Sequence, residues 1–185
     1  MKVKKLEIDD VLLITPERFA DERGFFSETF NRQSLYDFGI DREFVQDNHS
    51  LSTDKGVLRG LHFQLPPFAQ DKLVRVTRGS IFDVAVDIRK NAPTYGRVVS
   101  ATLSARNWKQ IWVPKGFAHG FVTLEPETEV QYKVTAYYSA EHDRGIAWND
   151  PALAIDWPVK TSEILLSDKD RKHPDLCDLP EIDFT

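Results

Sequence analysis

His62, Lys72 and Tyr132 together supply a base, a cation and a phenolic acid. That is the set needed to take a proton from a carbon beside a ketone and return one from the other face. An imidazole moves protons near neutral pH, a positioned phenol donates one, and an ammonium holds a developing oxyanion. His62 closes the run Arg59-Gly60-Leu61-His62, Lys72 opens the next predicted strand, and Tyr132 sits on a much later one. The chain places no second histidine beside His62 in sequence, as a metal-binding version of such a site would need. A lone histidine among apolar neighbours reads as a satisfied core residue. The joint occurrence of the three types points instead to proton transfer.

Strand parity sorts the residues around this set. By simple alternation Leu58, Gly60, His62 and Gln64 share one face, Lys72 shares a face with Val74 and Val76, and Tyr132 with Val130 and Val134. Arg59 then points away from His62, and a bulge at Gly60 is required to bring both side chains to one cavity. Gln46 and Asn48 line one side of a strand over 44–51. Phe26, Glu28 and Phe30 line one side of a strand over 24–30, with Arg23 just before it. Polar side chains among inward apolar ones must pair with each other or with a ligand.

The elements that must position these residues are short strands. Phe82, Val84, Val86 and Ile88 alternate with Ile81, Asp83, Ala85 and Asp87, giving one fully apolar face. Further strands are predicted over 11–15, 57–64, 72–77, 97–104, 116–124 and 130–134. Helix is predicted only near 32–38 and 167–171. Residues 139–158 read as a long ordered loop pinned by Trp148 and Trp157. Many short strands with little helix give an all-β sandwich or closed barrel, and 185 residues fit a single domain. Its C-terminal part, 160–185, is expected to pack back near the site.

Composition excludes several classes. With 41% apolar and 29% charged residues the chain reads as an ordinary globular protein. A net charge of -5 argues against a general nucleic-acid binder. The longest early apolar run is Val11-Leu12-Leu13-Ile14, too short for a secretory signal, and no segment approaches a membrane span. The single cysteine, Cys177, forms no internal disulfide. A cytoplasmic location is expected.

Pro114-Lys115-Gly116-Phe117-Ala118-His119-Gly120-Phe121 resembles the second cupin motif, with His119 between two phenylalanines on one face. The first cupin motif carries His-x-His and a later Glu. Here the matching stretch is His62-Phe63-Gln64, with one imidazole left. Asp21 to Phe26, Gln46-Asp47-Asn48, Arg59 to His62, Lys72 to Val76 and Phe82 to Asp87 extend the likeness. So do Tyr132-Lys133, Arg144-Gly145-Ile146 and Leu166 to Asp170. By these ordered matches the chain resembles the dTDP-4-dehydrorhamnose 3,5-epimerase family nearly end to end.

The resemblance implies a cupin-like jelly roll and a cofactor-independent isomerase without metal, acting as a homodimer on a dTDP-linked 4-keto-6-deoxy sugar. It implies His62 as base, Asp170 as its partner, Tyr132 as acid and Lys72 on the enolate oxygen. Arg23, Arg59 and Lys169 would hold the diphosphate. Glu28, Gln46, Asp47 and Asn48 would contact thymine, ribose or sugar, and His119 the sugar or a phosphate. Asp83 is a further candidate to orient His62 or Lys72. Asp143 stands where the family usually has Glu, which shortens the reach of any nucleotide contact, and Phe63 replaces a common Tyr. Aromatic residues on both faces of Phe25-Phe26 and Ile111-Trp112-Val113 suggest a subunit contact. Competing readings are a single-site epimerase of the same nucleotide sugar, a metal-dependent cupin such as a dioxygenase, and a sugar-nucleotide-binding cupin without chemistry. The metal reading needs a further ligand near His62 and His119.

Overall fold

The computed structural model describes residues 1–184. Thirteen strands run in order: β1 (Lys2–Lys5), β2 (Leu12–Thr15), β3 (Phe19–Asp21), β4 (Gly24–Phe26), β5 (Gln46–Ser52), β6 (Leu58–Gln64), β7 (Lys72–Arg78), β8 (Ser80–Asp87), β9 (Val98–Ser104), β10 (Gln110–Val113), β11 (Phe117–Thr123), β12 (Thr128–Val134) and β13 (Asp143–Gly145). One sheet has the order β1-β2-β10-β7-β12-β5 and faces a second of order β13-β6-β11-β8-β9, while β3 and β4 form a separate hairpin. Every pairing between these strands is antiparallel. This is the all-β sandwich that the short alternating segments predict, in the jelly-roll form that the family resemblance implies.

The core lies between the sheets. Val74, Val76, Ile111, Val113 and Val130 from one sheet pack against Ile81, Ala85, Val99, Leu103, Phe117 and Phe121 from the other. The apolar Phe82, Val84, Val86 and Ile88 face turns outward instead, where Ile146, Leu153, Leu176, Leu179 and Phe184 cover it. The outward face of the first sheet is likewise covered: Trp112 and Leu73 pack against Leu35 and Ile40, from the short helix α1 (Arg32–Tyr36) and the turn after it. Trp112 is therefore buried within the chain and offers no subunit contact, unlike the exposed Phe25 and Phe26.

Several predicted bounds change. The strand expected over 24–30 ends at Phe26, because the chain leaves the ladder: the Ser27 hydroxyl donates to the Glu17 carbonyl and the Thr29 carbonyl accepts from Gln110. Glu28 and Phe30 consequently lie outside any strand. The helix expected over 167–171 is a single 3-10 turn at Asp170–Lys172. Within the expected 139–158 loop lies β13, and Trp157 Nε1 donates to the Trp148 carbonyl at 3.0 Å.

Strand β6 carries the feature on which the site depends. Its register with β11 pairs His62 with His119 but Arg59 with Phe121, so β6 holds one extra residue at Gly60-Leu61. Gly60 has φ +130, and a Cβ there would lie 2.5 Å from the Gly120 Cα. Only glycine meets both demands. The bulge reverses parity: Leu58 packs outward with Val122, and Leu61 and Phe63 pack outward with Val84. Arg59, His62 and Gln64 are left on the inward side. Leu58 and His62 therefore do not share a face, and Arg59 and His62 do.

Candidate active site

A cleft of about 200 Å³ opens between the sheets and is lined by both. His62 enters from β6, Asp143 from β13, and Lys169 from the C-terminal segment. Gln46, Asn48, Lys72 and Tyr132 enter from β5, β7 and β12 of the facing sheet. His62 and Tyr132 thus stand on opposite walls. Lys72 is buried and reaches across, its Nζ donating to the His62 carbonyl at 3.3 Å. Gln46 Nε2 donates to Asn48 Oδ1 at 2.9 Å.

Asp170 comes from 108 residues away and accepts from His62 Nε2 at 2.5 Å. Its backbone N–H donates to the Ser167 hydroxyl at 3.1 Å, which fixes the turn. Burial raises the Asp170 carboxyl, but the facing N–H groups of His173 and His62, the charge of His62 and the Ser167 hydroxyl outweigh it, and the group is held well below the usual carboxylate range. For His62, burial lowers the imidazole; Asp170 opposes this, while Lys72 and Lys169 add to it. Burial also raises the Tyr132 phenol against the pull of Arg59, so it keeps its proton at neutral pH. Lys72 is pushed down to about 8, chiefly by burial, with Asp143 and Asp83 opposing.

The remaining predicted residues divide. Asp143 lines the cleft, accepts from Tyr138 Oη at 3.1 Å and forms an ion pair with Lys169. Arg59 donates to the Ser52 hydroxyl and the Leu51 carbonyl, each at 3.3 Å, near enough for its charge to act on Tyr132. His119 is buried, and its Nε2 meets both oxygens of Asp83 at 2.9–3.0 Å. Asp83 is thus the partner of His119 rather than of His62, and it acts on Lys72 only through its charge. Asp47 points to the other face of its sheet, paired with Lys133 at 2.9 Å in a separate groove of about 330 Å³. Arg23 pairs with Asp21 on the exposed β3–β4 hairpin, and neither Arg23 nor Glu28 lines the cleft.

Sequence reasoning missed Tyr138 and His173. Tyr138 follows Tyr132 on the same chain segment, which Gln64 clamps by donating to the Tyr137 carbonyl and accepting from the Ser139 N–H. His173 lies three residues beyond Asp170, a spacing that stacks side chains on a 3-10 turn. It corrects the expectation of an isolated imidazole at His62: the ring centroids are 5.4 Å apart. His62, Asp170 and His173 place ligand-type atoms within 4.8 Å of one another. The 2.5 Å between His62 and Asp170 is the length of a hydrogen bond. Donors sharing one metal ion at about 2.0–2.2 Å stand farther apart.

A jelly roll that sets a part-buried imidazole and a part-buried phenol on opposite walls of one cleft, with a buried ammonium beside them, has the groups needed to move protons next to a carbonyl. The profile of the dTDP-4-dehydrorhamnose 3,5-epimerase family matches residues 5–178. The chain is 56% identical over 184 residues to the dTDP-4-dehydrorhamnose 3,5-epimerase of Sinorhizobium fredii (strain NBRC 101917 / NGR234), covering 97% of this chain and 92% of the relative. It is 55% identical to that of Escherichia coli (strain K12) over 173 residues, 93% and 92% of the two chains. A crystal structure of the dTDP-6-deoxy-D-glucose-3,5-epimerase of Legionella pneumophila Philadelphia 1, in complex with dTDP-4-keto-L-rhamnose, superposes with a TM-score of 0.93 at 46% identity, covering 97% and 94%. The chain belongs to the dTDP-4-dehydrorhamnose 3,5-epimerase family.

Proposed function

We propose that this protein epimerises dTDP-4-dehydro-6-deoxy-D-glucose at C3 and C5, giving dTDP-4-dehydro-L-rhamnose. The observation that carries this reading is the placement of His62 and Tyr132 on facing sheets around one cleft. With Nε2–H donated to Asp170, His62 presents Nδ1 as the proton acceptor. It removes the proton next to the C4 ketone, Asp170 supports the imidazolium, and Lys72 holds the enolate oxygen. Tyr132 then delivers a proton to the opposite face; solvent takes the proton from His62 and restores the one Tyr132 gave, and the cycle repeats at the second carbon. Gln46 and Asn48 orient the sugar, and Arg59 with Lys169 meets the diphosphate. Incubation in D₂O followed by proton NMR tests the reading: deuterium enters at both C3 and C5. Entry at one carbon alone makes the protein a single-site epimerase, and binding without entry makes it a binding module.

Lys72 carries a pH signature. Only its ammonium form stabilises the oxyanion, and its pKa is pushed down to about 8. kcat/KM therefore falls as pH rises through about 8, well below the ordinary lysine value. Lys72→Met removes that limb and costs roughly 10²–10³ in rate. A limb unchanged in the variant would remove Lys72 from the role.

Arg23 and Glu28 reach a site only if a second copy supplies it, since neither lines the cleft of its own chain. The β3–β4 hairpin that carries Arg23 and precedes Glu28 exposes Phe19 and Phe26 at 58% and 70%, a surface suited to a partner subunit. The protein acts as a homodimer on this reading, and sedimentation velocity gives twice the 21.3 kDa chain mass. A place in the cytoplasm belongs to the same reading, which the free thiol of Cys177 supports.

A further inference from the structure

The proton transfers use one imidazole, and a second remains without a task. The side chain of His173 is only 9% exposed, and its Nε2 lacks a hydrogen bond of full geometry. That nitrogen faces Asp170 Oδ1 at 3.4 Å, the same oxygen that accepts from His62. A carboxylate oxygen only accepts, so the facing nitrogen carries its hydrogen. The His62 and His173 rings meet edge to face at 78°. Space for the second ring is built in. A Cβ on Gly145 would lie 2.5–2.6 Å from the imidazole of His173, and Gly145 itself pairs with His62 across β13 and β6. The Ala147 N–H fixes the following residue by donating to the Pro174 carbonyl at 2.7 Å.

We propose that His173 is a positioning residue: by aiming its N–H at Asp170 Oδ1 it shares the carboxylate with His62 and limits how firmly His62 holds a proton. A base that acts twice per turnover must also release each proton it takes. An undivided Asp170 would favour the imidazolium and slow that release. The inference rests on the reading of His62 as base. The charges acting on His62 are Asp170, Lys72 and Lys169, and Asp143 and Tyr132 share its cleft. Asp170 faces His62, His173 and Ser167, and His173 faces Asp170, His62 and the Gly145 backbone. Of these groups, His173 is the one whose ring nitrogen stands opposite the Oδ1 that His62 uses. Its direction of action is the same whether His173 is a neutral donor or a cation.

The test is an NMR titration of the His62 ring in the full chain, whose five histidines permit assignment, comparing wild type, His173→Phe and His173→Gln. The His62 pKa rises by about half a unit to one unit in His173→Phe and stays within about 0.2 unit in His173→Gln, which keeps an N–H donor. The acid limb of kcat/KM moves up with it. A folded His173→Phe protein whose His62 titrates as in wild type overturns the proposal. Should that variant not fold, His173→Asn, too short to reach Oδ1, takes its place with the same expected rise and the same overturning result. The titration is read on the resting protein. The reading of His62 as base fails separately, if His62→Ala keeps its exchange activity.

Discussion

Replacing His62 by alanine slows deuterium entry at both C3 and C5 by about 10²–10⁴-fold, the usual worth of a positioned base. The substitution leaves Lys72 in place, so enolate formation by solvent bases still finds its oxyanion partner. It also leaves Gln46, Asn48 and Tyr132 on the cleft wall, so substrate affinity changes little. Proton NMR of dTDP-4-keto-6-deoxyglucose in D₂O separates these effects, with a binding isotherm on the same protein. A loss under tenfold places the base elsewhere. Unequal loss at the two carbons means that a second group serves one of them.

Tyr132→Phe gives a different failure. Inverted product falls by about 10²–10³-fold, while His62 continues to take a proton and return solvent deuterium from its own side. Recovered substrate therefore gains deuterium without changing configuration. The burial that keeps the phenol protonated also makes phenylalanine a tolerable replacement. Its neighbours Val130 and Val134 are fully buried, and the aromatic ring retains that packing. Mass spectrometry of substrate and product after partial turnover reads the result. Inverted product at the wild-type rate removes Tyr132 from the acid role.

Period-two alternation made β6, β7, β8, β11 and β12 readable, and all but β6, whose apolar residues pack outward, contribute to the core between the sheets. It failed where alternation is hidden. The β1 strand is a lysine-rich edge, Lys2–Lys5, that buries little. All of β10 is buried, so Gln110–Val113 reads as a run rather than a pattern. Which face of β8 points inward was not legible, because its most apolar face meets the C-terminal segment instead of the core. For the site, His62, Lys72 and Tyr132 converge because each stands on a strand whose neighbours fix its direction. Gly60 signalled its bulge through residue type alone. Asp170 could be named only by resemblance, since nothing local in the charged run 168–172 marks one carboxylate as buried. Asp47 was grouped with Gln46 and Asn48 by adjacency, although parity alone turns it to the opposite face.

Because His62 and Tyr132 belong to different sheets, their separation is a dimension of the sandwich and not of any loop. Facing sheets stand about 10 Å apart, a gap set by the side chains between them. Here that filling is Val74, Val76, Val130, Phe117 and Phe121, core residues outside the cleft lining. A methyl group gained or lost among them changes the gauge against which a planar enolate is held, and with it the balance between inversion and mere exchange. Stereochemical fidelity in this fold is therefore a property of core volume, and it can drift through substitutions that leave every chemical group intact.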